Sequence, residues 1–311
     1  MKVSVIGAGQ VGATAALRIA EQDLADVALV DVVEGLAKGK ALDLMQSAPV
    51  EGHARKIEGA ESYRICKGSA VVVVTAGIAR KPGMSRDDLL QTNAKIVTEV
   101  IESIVAVAPD AILLMVTNPL DVTTYLAYKV SGFPRQRVFG MAGVLDTARF
   151  RMFIAEALHT HPEDVQAMVL GGHGDTMVPL PRYSTVSGIP ITQLLDAATI
   201  KSIVQRTRDG GAEIVKYLKT GSAYYAPASS IAQMVGAILK DQKRILPTSV
   251  LLTGEYGLRN VFLGVPAVLG AKGVERVIEL KLGAAEQKAL ERSAEHVRET
   301  VASLKKLGWE V

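Results

Sequence analysis

The sequence predicts an α/β protein, with a doubly wound parallel sheet followed by an α+β domain. Three observations carry this. The first half alternates near-continuous apolar runs with helical stretches, a G-x-G-x-x-G follows the first run, and the pattern changes after about residue 145.

"KVSVIGA" (2–8), "DVALVDV" (26–32), "AVVVVTAG" (70–77) and "AILLMVTN" (111–118) are the apolar runs. Runs of this kind suit parallel strands buried on both faces. Helices are expected between them at Val11–Glu21, Gly35–Ser47 and Ser85–Val107, the last opened by Ser85 with Asp88 three residues on, a capping pair. Strand, helix and strand in repetition imply right-handed crossovers. In the second half, helices are expected at Asp146–Leu158, Ile191–Thr220 and Ser229–Asp241. An antiparallel pair, 247–257 with 261–270, is expected to turn around Arg259 and Asn260, and a final helix to run from Ala284 to Leu307. No Ser/Gly linker or repeat separates the halves. The expected division is 1–145 and 146–311, with a site in the cleft between them.

Composition narrows the function classes. The 311 residues carry 35 basic and 32 acidic side chains, a net charge of +3, and no run of five cations, so nucleic acid is not an expected partner. No apolar run approaches the roughly 18 residues of a membrane span. The chain enters a strand at once, so no signal peptide is expected. Cys66 is alone and cannot form an intrachain disulfide, which fits a reducing, cytoplasmic setting.

The turn Gly7, Ala8, Gly9, Gln10, Val11, Gly12 lies between a strand and a helix. Gly7 permits the tight turn, Gly9 lets the backbone approach a pyrophosphate, and Gly12 lets the helix pack close to the strand. Asp31 ends the second strand, where an acid can accept hydrogen bonds from a ribose. It would repel a 2′-phosphate, and the following Val32 and Val33 supply no compensating cation. The expected cofactor is therefore NAD, not NADP.

Of five histidines, His53, His159, His161 and His296 read as solvated or packing residues. His173, in "LGGHGDTMVP" (170–179), is framed by glycines, which fits an exposed general acid/base but also a simple tight turn. In "GVLDTARF" (143–150), Asp146 and Arg149 share a helical face. They form either an ordinary intrahelical ion pair, or a carboxylate that holds His173 beside a guanidinium that grips a substrate carboxylate. Spacing does not choose between these. "GIARKPGMSR" (77–86) gathers Arg80, Lys81 and Arg86 without an acid, which asks for a bound anion.

Taken together, "GAGQVG", Asp31, "TAGIARKPGMSRDDL", "VTNPLD", "GVLDTARF", "GGHGDTMVP" and "GSAYYAPA" resemble the lactate/malate dehydrogenase family in order and approximate spacing. The resemblance implies that His173 is the proton acceptor, Asp146 its carboxylate partner, and Arg149 the partner of the substrate's C1 carboxylate. Arg86 would polarise the reacting carbonyl, Asn118 would hydrogen-bond the substrate oxygen, Val116 and Thr117 would line the nicotinamide side, and Asn93 would contact the cofactor. Residues 77–90 would form a lid that excludes water. No metal is implied.

Arg80 matches the family position that separates the two branches. A guanidinium there suits a dicarboxylate, since leaving it buried against a methyl would be costly. Ala223 in "GSAYYAP" points the same way. The expected substrate pair is malate and oxaloacetate, with lactate and pyruvate as the alternative. A homotetramer is expected ahead of a homodimer. More distant alternatives are an NAD-dependent glycosidase, which would need a Cys/His metal site, and an NAD-sensing protein without turnover.

Overall fold

The computed structural model describes residues 1–79 and 85–309, apart from the side chain of Arg86. The expectations placed on Arg80, Lys81 and the Arg86 side chain therefore lie outside the described residues.

The first half runs β1 (Lys2–Ile6), α1 (Gln10–Glu21), β2 (Asp26–Val30), α2 (Leu36–Glu51), β3 (Ile57–Ala60), β4 (Val71–Val74), α3 (Arg86–Val107), β5 (Ile112–Met115), α4 (Leu120–Ser131) and β6 (Val138–Gly140). It continues through α5 (Gly143–Leu158) and the short strands β7 (Val165–Gln166), β8 (Val169–Leu170), β9 (Val178–Pro179), β10 (Thr185–Val186) and β11 (Ile189–Pro190). The chain ends with α6 (Ile191–Leu194), α7 (Ala197–Leu218), α8 (Tyr225–Leu239), β12 (Arg244–Thr253), β13 (Arg259–Gly270), β14 (Gly273–Val277) and α9 (Ala284–Lys306).

Six parallel strands lie in the order β6-β5-β4-β1-β2-β3. The continuous apolar runs have their physical counterpart here: Val71 to Val74 are wholly buried between helices on both faces. On α1, Gly12, Ala15, Ala16, Ile19 and Ala20 are buried, a helical stripe turned to the sheet. The expected cap of α3 is present in both directions, with Asp88 N–H donating to Ser85 Oγ at 3.0 Å and Ser85 N–H to Asp88 Oδ2 at 3.1 Å.

The second half departs from expectation in two ways. The antiparallel hairpin forms, pairing Arg244 with Leu269 through to Leu252 with Val261, but its turn lies at residues 254–258, so Arg259 and Asn260, expected in the turn, open β13 instead. With β14 it extends the parallel sheet through Ser249 opposite Gly140, giving nine strands across both halves. The single helix expected at Ile191–Thr220 is divided, because the Asp196 side chain accepts from Thr199 N–H at 2.9 Å and starts α7 afresh. The chain reverses its direction of winding between β1 and β4, and a crevice opens at their carboxyl ends, the usual ligand position in such sheets.

Candidate active site

The turn at Gly7 and the close packing at Gly12 are as expected. Gly7 has φ +101°, a left-handed conformation. A Cβ on Gly12 would run into the Gly7 carbonyl, so the α1–β1 contact depends on glycine there. Around Gly9 there is open space. Gly9 is also the N-cap of α1, without a side-chain cap or an acid in the first turn, so the helix terminus offers free N–H groups to an anion. Thr75 Oγ1 braces the turn by donating to the carbonyls of Ile6 and Gly7, both at 3.0 Å. Asp31 Oδ2 accepts from Ala8 N–H at 2.7 Å and Oδ1 from Val33 N–H at 3.0 Å. Its carboxylate is thus fixed beside the glycine turn, with lone pairs left for hydroxyl donors. These residues fit a dinucleotide, and the fixed charge disfavours a 2′-phosphate.

At the other end of the crevice, His173 and Asp146 meet across 27 residues of sequence, His173 Nδ1 to Asp146 Oδ2 at 2.9 Å. The other oxygen of Asp146, Oδ1, accepts from Arg149 Nη1 at 3.2 Å. The helical ion pair therefore forms and the same carboxylate also holds His173: Asp146 is buried between the imidazole and the guanidinium and serves each with one oxygen. This arrangement assigns the proton on the ring's Asp146 side to Nδ1 and leaves Nε2 for the crevice. Burial by itself would push the imidazole pKa down. The charge and hydrogen bond of Asp146, helped by Asp121 and opposed by Arg149, outweigh that and hold it above the ordinary histidine value.

The glycine frame around His173 does a different job from the one expected. Gly171 (φ +90°) exchanges backbone hydrogen bonds with Gly264 of β13, and Gly172 lies against Val297 and Ser293 of α9. The first two glycines let the loop seat against protein, and only the space at Gly174 is open. Two side chains absent from the sequence reading pin that loop. Asp121 Oδ2 accepts from His173 N–H at 2.9 Å, and its Oδ1 from Ser249 Oγ at 2.7 Å. Ser293 Oγ accepts from Gly172 N–H at 2.8 Å. Burial raises the Asp121 pKa, while the donors Ser249 and His173 N–H pull against it.

Arg149 owes its position to a third overlooked feature. Gly210 and Gly211 sit in the middle of α7, and a Cβ on Gly210 would come within 3.1 Å of Arg149 Cδ. Paired glycines in a helix interior are unfavourable without a packing reason, and that was the available signal.

The crevice is a cavity of about 380 Å³ lined by Val11, Val116, Thr117, Asn118, His173 and Ala223 among others. Asn118 is exposed to it, and Thr117 is buried in its wall, donating to the Ala76 carbonyl at 2.6 Å. Asn93 is the residue expected to contact the cofactor. It is buried behind the wall, with Oδ1 accepting from Ile78 N–H at 2.8 Å and Nδ2 donating to the Asn118 carbonyl at 2.7 Å. It ties the stem of the 77–90 segment to the strand end that presents Asn118. Gln10 is exposed at the start of α1, and Ala8 is buried under Asp31. Among the described residues no cluster of three or more His, Cys, Asp or Glu could hold a metal ion.

The geometry agrees with what the sequence is related to. Residues 1–140 match the lactate/malate dehydrogenase NAD binding domain, and residues 143–307 the alpha/beta C-terminal domain of the same family. The chain is 58% identical over 300 residues to a malate dehydrogenase of Trichormus variabilis, covering 96% of this chain and 93% of that one. It is 56% identical to a malate dehydrogenase of Roseiflexus sp., covering 98% of each. The solved malate dehydrogenase from Salinibacter ruber superposes with a TM-score of 0.95 at 52% identity, over 99% of this chain and 98% of that one. A lactate dehydrogenase from Cryptosporidium parvum, solved with lactic acid and nicotinamide adenine dinucleotide, reaches the same TM-score at 41% identity over 98% of each chain. Backbone shape therefore does not separate the two activities, but both domain matches lie in one family: the chain belongs to the lactate/malate dehydrogenases.

Proposed function

We propose that the chain catalyses the NAD-dependent interconversion of (S)-malate and oxaloacetate. The observation that carries this is the buried Asp146 between His173 and Arg149 at a dinucleotide crevice, in a chain 54–58% identical to several malate dehydrogenases. Residues 1–145 hold the cofactor, with Gly7, Ala8, Gly9, Gln10, Val11 and Gly12 around its pyrophosphate and Asp31 at its ribose. Residues 146–311 supply the substrate side.

Held there, NAD would supply the acceptor for the hydride from the hydroxyl-bearing carbon of malate. His173 takes the hydroxyl proton at Nε2, because Asp146 occupies Nδ1 and stabilises the imidazolium that results. Arg149, held by Asp146 through one nitrogen, offers the rest of its fork to the C1 carboxylate. Asn118 orients the substrate oxygen. Arg86 polarises the carbonyl in the reverse direction, where protonated His173 and Arg86 oppose the growing negative charge on oxygen. Arg80 pairs with the second carboxylate and sets the preference for a dicarboxylate. Val116 and Thr117 shape the nicotinamide side.

The lactate reading is weaker. The malate dehydrogenases of Trichormus variabilis and Roseiflexus castenholzii, at 58% and 54% identity, exceed by more than ten points the 41% of the lactate dehydrogenase neighbour. Among the described residues no helix is long and apolar enough to cross a membrane. A cytoplasmic location and a homotetramer, with a homodimer as the alternative, complete the reading. A substrate panel with NADH over oxaloacetate, pyruvate and 2-oxoglutarate tests it. Oxaloacetate is expected to give the highest kcat/KM, and pyruvate ahead of oxaloacetate overturns the reading.

A further inference from the structure

A second hollow, of about 530 Å³, opens between α4, β13 and α9, away from the crevice. Its size falls within the roughly 300–1,000 Å³ typical of small-molecule sites. Its aromatic side is made by Tyr125 and Tyr128 of α4 with Phe262 of β13, the Tyr128 and Phe262 ring centroids being 5.9 Å apart. Its charged side chains are Lys129, Arg298 and Lys305, and among the described residues none of the side chains lining it is acidic. Arg298 is shared with Glu295 at 3.2 Å and the Arg259 carbonyl at 3.2 Å. Lys129 Nζ stands 5.6 Å from the Tyr125 ring centroid. Neither lysine has a carboxylate within ion-pair distance among the described residues.

The walls of this hollow also hold His173 from behind. Asp121, on α4, receives the His173 N–H, and Ser293, on α9, receives the Gly172 N–H. Val297 of α9 lines the hollow, and a Cβ on Gly172 would lie 3.0 Å from its Cγ2. An occupant would therefore press on Val297, against which Gly172 of the His173 loop is packed.

We propose that this hollow is a second binding site, for a small organic dianion with an aromatic body, and that its occupancy is felt at His173. Charge complementarity selects the occupant: two lysines and a shared arginine for the anionic group, and stacked or edge-on aromatic surface for the ring.

Phenyl phosphate is the probe, titrated by calorimetry into the full-length protein saturated with NADH. Wild-type protein is expected to bind it saturably, at least 10-fold more tightly than inorganic phosphate. Binding should fall at least 10-fold in the double variant Lys129→Glu, Lys305→Glu, and equally in Ala302→Trp, which fills the hollow from an exposed wall position. Phenyl phosphate should change wild-type kcat at saturating NADH and substrate and leave that of Ala302→Trp unaltered. The double lysine variant leaves the hollow open and touches nothing in the crevice, so it should keep the basal kcat without phenyl phosphate. The proposal is overturned if wild-type protein shows no saturable binding, if inorganic phosphate binds as well, or if both variants bind as the wild type does. It is equally overturned if binding leaves wild-type turnover unchanged.

Discussion

Asp146 Oδ2 lies 2.9 Å from His173 Nδ1, and no other carboxylate among the described residues reaches that ring. Replacing Asp146 by Asn removes the charge that keeps the His173 pKa raised. With His173 in its proposed role, reduction of oxaloacetate needs it protonated, so activity is present below its pKa and lost as pH rises through it. In malate oxidation it must be neutral, so activity is lost as pH falls through the same pKa. Asp146→Asn is expected to move both limbs toward acid. It should also cut kcat on the order of 100-fold or more. Profiles of kcat/KM against pH in both directions check this, and an unmoved limb would detach Asp146 from the proton.

Asp121 acts one step further back. Asp121→Asn keeps an oxygen that can accept from His173 N–H but removes a negative charge that supports the imidazolium. The expected result is a smaller acid shift of the same limbs with little loss of thermal stability. Asp121→Ala leaves the His173 N–H and Ser249 hydroxyl without their acceptor, at about 1–3 kcal/mol for each buried group, and Tm should fall. Equal pH profiles for wild type and Asp121→Asn would reduce Asp121 to a structural strut.

These two carboxylates show where the sequence was legible. Asp146 and Arg149 are three apart on one helix, so their shared face could be read. That His173 would complete the set came from motif order, because 27 residues of helix, loop and strand separate it from Asp146. Asp121 is 52 residues from His173 and 128 from Ser249, and no local pattern encodes contacts made by packing α4 under a later loop. The same reason hid the continuity of the sheet. β6 has three residues, too few for a periodic signal, yet it is the strand on which β12 docks. The four long apolar runs were legible because burial on both faces leaves no polar positions to interrupt them.

Gly210 offers a case in which stability and activity should part. Gly210→Ala lies in a helix interior, where alanine is worth up to about 1 kcal/mol over glycine, so Tm should hold or rise. Its Cβ would crowd Arg149 Cδ at 3.1 Å and turn the guanidinium away from the substrate. KM for oxaloacetate is expected to rise roughly 5-fold, equivalent to about 1 kcal/mol of lost carboxylate pairing. A stabilised variant with unchanged KM would mean that Arg149 relaxes freely and does not need the glycine pair.

Arg80 is the residue proposed to set the choice of substrate. Arg80→Gln should lower kcat/KM for oxaloacetate and spare pyruvate, because only oxaloacetate has a second carboxylate to pair. A buried charge pair of this kind is worth about 2–5 kcal/mol, so the ratio between the two substrates should shift on the order of 100-fold. The measurement is that ratio at saturating NADH, and an unchanged value would remove Arg80 from the specificity assignment.

Gly9 and Gly12 separate binding from folding within one turn. Gly9 has φ −65° and ψ −168°, a backbone any residue adopts, and nothing lies within 4 Å of a Cβ placed there. Gly9→Ala should fold with an unchanged Tm. The added methyl occupies the space through which a pyrophosphate reaches the α1 N–H groups, so the Kd for NADH should rise about 10-fold or more, near 1.4 kcal/mol. Gly12→Ala is the opposite case. Its Cβ would meet the Gly7 carbonyl oxygen and the Thr75 hydroxyl, neither of which can move without opening the β1–β4 edge. A cost of about 1–3 kcal/mol is expected, with Tm lowered by several degrees before any ligand is added. If instead Gly9→Ala loses stability without losing affinity for NADH, the glycine is a folding requirement and the open space beside it is not where the phosphates sit.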